Sequence, residues 1–168
     1  MNLKTINKSH FSHYGFTLIE LLVTIGILGI LASIAIPGFS RWIPNYRLRG
    51  AATDLFSNMQ LVRFGAIKLR QNSDITYSTS PHQYQYTDPN SGVLMTMVLS
   101  DYGSGVKFQG PGGETFASAT ITFTPRGLVQ VGAGYAYLSN DTNSAYYRIG
   151  PLTSGVITLK KWSGSVWE

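Results

Sequence analysis

Residues 15–37 have the sequence GFTLIELLVTIGILGILASIAIP, and the rest of the chain is organised around this apolar segment. Between Phe16 and Ile36 it contains neither Lys nor Arg, and its single acid is Glu20. As a helix, this run would be about 31 Å long, which is enough to cross the hydrocarbon core of a bilayer. Pro37 lacks an amide hydrogen and clashes with the preceding turn, so we expect it to kink or break the helix. The segment predicts a single membrane-spanning helix.

A cleaved secretory signal is the alternative explanation of this run. Ser33-Ile34-Ala35 has the small-x-small pattern of a signal-peptide cleavage site. The apolar part of such a signal is about 7–15 residues long, whereas the run here is longer and contains an acid. A helix that stays in the mature protein is therefore the better interpretation.

Composition changes abruptly on either side of the run. The chain has 168 residues, a net charge of +5, 12% charged residues and a mean hydropathy of +0.03. Typical soluble proteins contain about 25% charged residues. Residues 1–15 carry Lys4 and Lys8 and no acid, and after Asn72 the residues Gly, Ser, Thr and Tyr dominate. The length allows one folded domain beyond the apolar run.

A second helical pattern follows the apolar run and ends near Asn72-Ser73. Its apolar residues alternate between steps of four and three, which places them on one helix face. The residues of this stripe are Leu48, Ala52, Leu55, Met59, Val62, Ala66 and Leu69. The residues predicted to lie off the stripe are Arg49, Asn58, Arg63 and Arg70. We expect the stripe to pack on the C-terminal part of the chain.

Beyond Asn72, short β-branched and aromatic segments alternate with turn signals. We predict strands at residues 75–78, 84–86, 93–99, 120–124 and 156–159. Because no helical pattern lies between them, the strands should pair antiparallel, and the amphipathic helix should cover the sheet. Pro125 and Gly127 suit a turn start and a position with φ > 0. The predicted fold class is α+β.

The composition offers little material for catalysis or for a cofactor. Cysteine is absent, which excludes disulfides, thiolate nucleophiles and thiolate-bound metals. The three His and eight acidic residues are scattered, and His82 lies in a polar segment typical of a surface. The segments around Asp88 and Asp141 contain too few further oxygen ligands to form a calcium-binding loop. The tyrosine pairs are typical of sheet faces. We expect no enzyme activity, no metal and no cofactor.

Glu20 carries the functional signal of the apolar run. An acid within a membrane-spanning helix costs about 2.5–3.5 kcal/mol at the centre and less near an end. A glutamate that snorkels to the interface is one explanation. The other is a positive partner at the same depth, which a free amine at Phe16 would supply if the chain were cut after Gly15. Such a partner would belong to the same chain or to a neighbour.

The segment Gly15-Phe16-Thr17-Leu18-Ile19-Glu20-Leu21-Leu22 resembles the class III signal of type IV prepilins and type II secretion pseudopilins. In that family an inner-membrane prepilin peptidase cuts after the glycine and N-methylates the new terminal residue. The resemblance implies Gly15 and Phe16 as the processing site, Phe16 as the methylated residue and Glu20 as the filament-assembly residue. Two further segments resemble the GspH/FimT-type minor pseudopilins within that family. They are Arg63-x-x-Ala66-x-Lys68 and Ile121-Thr122-Phe123-Thr124-Pro125-Arg126-Gly127.

This resemblance implies a pilin-like fold in three parts. Residues 1–15 would be a cleaved leader, and residues 16–44 a hydrophobic transmembrane and filament-core helix. Residues 45–168 would be a periplasmic or extracellular head that includes the amphipathic half of the helix. Gly26, Gly29, Ala32 and Ala35 would permit close helix approach in the filament core.

The implied function is that of a minor pilin or pseudopilin in the tip or initiation complex of a type II secretion pseudopilus or a type IV pilus. Its partners would be the prepilin peptidase, other pilins and the inner membrane, with secreted substrates as further candidates. The resemblance also implies a single pass through the bacterial inner membrane with the N-terminus in the cytoplasm. Charge counting does not give this orientation, because Arg41, Arg47 and Arg49 follow the span and outnumber the leader's lysines.

Two alternative functions stay open at this point. A DNA-binding minor pilin is one, because the chain is basic and Lys160-Lys161-Trp162 joins charge to an aromatic ring. Removal of the leader would lower the net charge to about +3, which weakens that argument. A major-pilin-like filament subunit is the other.

Overall fold

The computed structural model describes residues 15–141 and 145–168, and of residues 37–41 only the backbone. Residues 1–14 of the predicted leader therefore lie outside the described residues. By backbone proximity the chain divides into two units, residues 1–38 and 39–168. The first unit consists, in its described part, of the beginning of a long helix. The second contains the rest of that helix and every strand of the described residues.

Helix α1 runs from Leu18 to Leu69. It continues through Pro37, so the expectation that this proline could break the helix is wrong, and Pro44 also lies within the helix. A proline removes one internal hydrogen bond, and the turns on either side keep their own. A bend of the axis at Pro37 stays a prediction.

Nine strands follow the helix in the described part of the chain, all in the second unit. They are β1 Ser73–Thr79, β2 His82–Thr87, β3 Leu94–Val98, β4 Lys107–Phe108, β5 Thr120–Phe123, β6 Val129–Val131, β7 Ala136–Ser139, β8 Tyr146–Pro151 and β9 Ile157–Lys161. A short 3₁₀ helix, Leu99–Tyr102, follows β3. Each of the five predicted strands is confirmed, with ends shifted by a few residues. Strands β4, β6, β7 and β8 were not predicted.

The strands form two sheets rather than the single sheet expected. The first sheet has five strands in the order β3-β2-β1-β5-β6, and the second has four in the order β4-β7-β8-β9. All pairings are antiparallel. The α+β class and the pilin-like architecture, a long N-terminal helix with an antiparallel head, are confirmed.

One hydrophobic core joins the helix to both sheets. The stripe from Leu48 to Ala66 is buried as predicted, and Ala51 joins it. Leu69 is 45% exposed, contrary to prediction, because it is the last helical residue and the chain then turns away into β1. The sheets contribute their inward-facing residues to the same core: Ile75, Tyr77, Tyr84, Tyr86, Ile121, Phe123, Phe108, Ala136, Leu138, Tyr147, Ile149 and Ile157.

Asn58 also faces the first sheet, although the pattern had placed it off the stripe. Its Nδ2 donates to the Tyr84 hydroxyl at 2.8 Å, and its Oδ1 accepts from the Tyr86 hydroxyl at 3.0 Å. Both rings lie on the buried face of β2. The amide therefore provides a hydrogen-bond partner to two phenols on the buried face of the sheet.

Candidate functional site

The processing segment lies at the start of α1. Gly15, Phe16 and Thr17 precede the first helical residue, Leu18, and Phe16 is 77% exposed. The space where a Gly15 side chain would lie is open, with no described atom within 4 Å. The glycine and the residue after it are therefore accessible to another protein.

Thr17 caps the N-terminus of helix α1, and Glu20 lies in the first turn of that helix. The Glu20 amide donates to the Thr17 hydroxyl oxygen at 3.2 Å, and the Leu21 amide donates to the Thr17 carbonyl at 3.1 Å. Thr17-x-x-Glu20 is the pattern of a capping box, in which the threonine satisfies an orphan amide of the first turn. Glu20 is exposed in that first turn, where the positive end of the helix dipole favours a carboxylate. The local structure thus tolerates the acid without an intrachain cation.

The apolar span after Glu20 has no partner within the described chain. Residues Leu18–Ile36 form a helical stretch of 19 residues, none of which is buried. A surface this apolar on all sides is typical of a helix surrounded by lipid or by other helices. The space beside Gly26 and Gly29 is open for 4 Å around the point where a β-carbon would lie, so a neighbouring helix could approach closely there.

The two segments that narrowed the resemblance meet at the other end of α1. The turn Thr124–Gly127 closes with a Gly127 amide to Thr124 carbonyl bond of 2.8 Å, and Gly127 has φ 72° as expected. Arg63 Nε donates to the Gly127 carbonyl at 2.9 Å. A side chain at Gly127 would come within 2.8 Å of Ile67 Cδ1. The contact holds the helix to the β5–β6 turn and has no catalytic character.

A cluster of aromatic rings and cations covers the outer face of the second sheet. Arg148 pairs with Tyr137 on one side and with Lys160 on the other. Its guanidinium carbon lies 4.4 Å from the centre of the Tyr135 ring and 4.9 Å from that of Trp167. Such contacts are attractive because the ring faces carry negative charge density. We call Tyr135, Tyr137, Arg148, Lys160, Trp162 and Trp167 the aromatic–cation face.

Two of the three residues predicted as nucleic-acid contacts belong to this face. Lys160 Nζ donates to the Trp167 carbonyl at 3.3 Å, and the Trp162 and Trp167 rings lie 5.1 Å apart. Lys161 is exposed and pairs with Glu168 through its backbone. Arg148 and Trp167 were missed. The sequence feature that could have identified Trp167 is the Ser-Gly-Ser segment that separates it from Trp162. The chain reverses there, and an antiparallel bridge joins Trp162 to Trp167.

Comparison with known proteins agrees with both regions of the chain. Residues 11–36 match the model of the prokaryotic N-terminal methylation motif, and residues 51–155 match that of the type II transport protein GspH. The chain belongs to the GspH family of type IV pilin-like proteins. No solved structure matches it.

Two relatives from Pseudomonas aeruginosa are each described as a fimbrial protein. Both are 36% identical to this GspH-family chain over 155 residues, covering 92% of it and 82% of the relative. The family and these relatives make the chain a pilin or pseudopilin subunit. Proteins of this kind are structural subunits rather than enzymes. Among the described residues, no group of three or more His, Asp or Glu could hold a metal.

Proposed function

We propose that this chain is a minor pilin of a type IV pilus machine, processed after Gly15 and N-methylated at Phe16. The observation that carries the proposal is the N-terminal segment: an accessible Gly15-Phe16, a capped helix start at Thr17 and an apolar span with no buried residue. The fimbrial relatives align over nearly the whole chain, which favours a pilus over a secretion pseudopilus. A place in a type II secretion pseudopilus is the competing assignment.

The proposed topology has the leader in the cytoplasm, the span in the inner membrane and the head in the periplasm. The 19-residue apolar stretch supports the span, and the methylation motif supports the orientation. On extraction into the filament, the exposed span would exchange lipid for the spans of other subunits. The small residues Gly26, Gly29, Ala32 and Ala35 would let those helices approach.

Glu20 is the proposed assembly residue. In the filament its carboxylate would pair with the Phe16 amine of an adjacent subunit. A charge buried without a partner is strongly destabilising, by about 3–5 kcal/mol when one member of a buried pair is removed. This penalty would select the axial register in which every amine meets a carboxylate. Pro37 would supply a bend in the helix, and residues 45–168 would form the head on the filament surface.

Replacement of Gly15 tests the processing step. We expect Gly15→Leu to abolish cleavage, because the peptidase must accommodate a small residue there. The measurement is the size of the chain on a gel after expression with a prepilin peptidase, with Gly50→Leu as a control outside the signal. A mature-size band from the Gly15→Leu variant would contradict the proposed cleavage site.

Replacement of Glu20 separates processing from assembly. We expect Glu20→Ala and Glu20→Lys to be processed but absent from sheared filaments, and Glu20→Asp to be partly recovered because it keeps the charge. Loss of the favourable helix-end position costs only about 0.3–1 kcal/mol and would not by itself exclude the subunit. Recovery of both Glu20→Ala and Glu20→Lys in sheared filaments at the wild-type level would refute the assembly role of Glu20.

Deletion of the gene separates the two machines. In a minor-pilin role, deletion should reduce surface pili while leaving secretion of type II substrates unchanged. The opposite result would assign the chain to a pseudopilus. Unchanged numbers of pili and unchanged secretion would contradict both assignments.

A DNA-binding role is the second candidate, and the aromatic–cation face is the observation that favours it. Aromatic rings stack on bases at about 1–3 kcal/mol per base, and cations contact phosphates. The fragment 39–168 contains the whole hydrophobic core and suits a gel shift with single-stranded DNA at increasing salt. Binding that weakens with salt and is lost in Lys160→Gln/Trp162→Ala, but kept in Arg126→Gln, would support this role. No shift at low salt would exclude it.

A further inference from the structure

The two sheets of the described residues have four edge strands, and β6, β4 and β9 are each covered or charged. The Val129 amide of β6 donates to the Thr153 carbonyl at 3.3 Å, so the turn between β8 and β9 lies against that edge. The Phe108 amide of β4 donates to His82 Nδ1 at 3.3 Å. Strand β9 ends in two adjacent lysines, and charged side chains oppose the addition of a further strand.

Strand β3 differs from these edges because it is largely apolar and carries no charge. Residues 90–100 contain no Asp, Glu, Lys or Arg. Val93 and Leu94 are 55% and 61% exposed, and the five residues of β3 pair with β2 without a bulge. Natural proteins protect exposed edges with charges, prolines, bulges or very short strands. Strand β3 has none of these protections, which is typical of an edge that another chain covers.

The backbone of β3 presents a regular row of donors and acceptors at this edge. The Asp88 amide donates to the Val93 carbonyl at 2.9 Å, in the same register as the β2–β3 pairs. Hydrogen-bonded and non-bonded pairs alternate along an antiparallel ladder. Alternate residues of β3 therefore bond to β2, and the others, Leu94, Thr96 and Val98, direct their amides away from it. Among the described residues, none accepts a hydrogen bond from these three amides.

We propose that β3 accepts an extended, uncharged strand from another pilin-like subunit of the same filament. The inference rests on the proposed function, because it requires a neighbouring subunit. Strand addition satisfies an edge through main-chain hydrogen bonds, and the side chains on either face select the partner. A charged residue opposite β3 would lose water without gaining an ionic partner, so the complementary strand is uncharged. Met95 and Met97 can adjust their shape to its side chains.

A different subunit fits this edge better than a second copy of the chain. Two β3 strands that paired antiparallel in one continuous sheet would be related by a two-fold axis perpendicular to that sheet. This axis would reverse the part of α1 from Leu48 to Ala66, which packs on the sheet, whereas the subunits of a filament point the same way. The other described edges of a second copy are covered or charged, so they are poor donors of a strand.

Substitutions at Thr96 separate the backbone of the edge from its side chains. Thr96→Pro removes an outward amide and keeps the bonds to β2, and proline is tolerated at an edge but not in a strand paired on both sides. Thr96→Lys places a charge on the edge. Thr96→Val is the matched control, because it keeps the amide and removes only the bond from Gln85 Nε2, of 3.1 Å. Val156→Lys places the same charge at an exposed position outside the strands.

Photo-crosslinking in cells that contain the pilus machine measures the contact. The full chain carries a photoreactive phenylalanine analogue at Leu94, and mass spectrometry identifies the cross-linked peptide. We expect an uncharged segment of another pilin-like subunit. Thr96→Pro and Thr96→Lys should lower the yield at least about fivefold, the value of one backbone hydrogen bond. Thr96→Val and Val156→Lys should keep the wild-type yield.

Amide exchange of the full chain in detergent examines the same edge without a partner. We expect the amides of Leu94 and Thr96 to exchange at least about tenfold faster than those of Met95 and Met97, which the β2 ladder protects. Equal protection of the two sets would overturn the inference, because the edge would already be paired. The urea midpoint of Thr96→Pro shows whether that variant folds, and Thr96→Lys decides the test if it does not.

The remaining outcomes separate this inference from the proposed function. Equal cross-linking by all the Thr96 variants would overturn the inference, as would a cross-link to a second copy or to a charged segment. A chain that is processed after Gly15 but forms no cross-link from Leu94 would overturn this inference alone. A chain that is not processed would overturn the proposed function as well.

Discussion

The two halves of helix α1 differ in where their apolar residues find partners. From Leu18 to Ile36 every side of the helix is exposed, whereas from Leu48 to Ala66 a single stripe is buried against two sheets. The second half needs nothing outside the chain, because Leu55 and Met59 are already fully covered. The first half requires lipid or other subunits, since exposed apolar surface of this extent is unfavourable in water. Helix α1 thus combines a stripe that is buried within the chain with an apolar surface that the described chain leaves uncovered.

Matched leucine truncations should show the difference most strongly. Leu55→Ala removes a fully buried side chain and should lower the free energy of unfolding of the head by about 2–5 kcal/mol. Leu31→Ala removes one that is 58% exposed and should leave that free energy unchanged. The measurement is the urea midpoint of the full chain in detergent, followed by tryptophan fluorescence. A similar loss in both variants would mean that the span supports the head, and the comparison would fail.

Asn58→Ala should have the next largest effect. The change leaves the Tyr84 and Tyr86 hydroxyls without their amide partner, at a cost of about 1–3 kcal/mol. Burial raises the pKa of Tyr84 to about 12, and the Asn58 hydrogen bond opposes that rise. The variant should therefore also ionise at higher pH in an ultraviolet titration. Ser57→Ala, on the exposed neighbour, is the control; equal stability of the two variants would show that the network contributes nothing.

The smallest effect expected is a pH dependence centred on His82. Burial, and secondarily the nearby Lys107, lowers the pKa of His82 below its ordinary value. Its Nδ1 accepts a hydrogen bond from the Phe108 amide at 3.3 Å, which requires the neutral ring. Because the unfolded state binds the proton more readily, this stability is present above about pH 6.5 and is lost as pH falls through the lower folded value.

Thermal melting between about pH 7 and 5 measures this loss. His82→Asn offers an acceptor oxygen near the position of Nδ1 and should flatten the profile over that interval. Leu31→Ala, in the other half of the molecule, should keep the wild-type profile. If the melting temperature of His82→Asn depends on pH as strongly as that of wild type, His82 is not the group responsible.

Local sequence patterns were sufficient to predict those features that depend on interactions between residues close together in the chain. The stripe from Leu48 to Ala66 follows from helix periodicity, and the Thr124–Gly127 turn follows from the preferences of proline and glycine. The apolar run needed only length and composition. In each case the residues that define the feature lie within a few turns of one another along the chain.

Features that depend on pairing between distant segments could not be predicted in the same way. Strand β4 has two residues and exists because it pairs with β7, and the division into two sheets depends on the order of strands. Arg148 belongs to the aromatic–cation face because β8 lies between β7 and β9 in the second sheet. Asn58 was misplaced because helix periodicity does not include a polar side chain that reaches tyrosines on a strand.

Sequence alone was enough to predict the apolar helical run, the methylation motif that includes Gly15 and Phe16, and the amphipathic second half of the helix. These follow from side-chain polarity and backbone preference, which act over short distances. Tertiary structure was required to reveal the two sheets and the aromatic–cation face. Those features arise where segments far apart in the chain meet, because packing and hydrogen bonding select among many strand orders that share one local pattern.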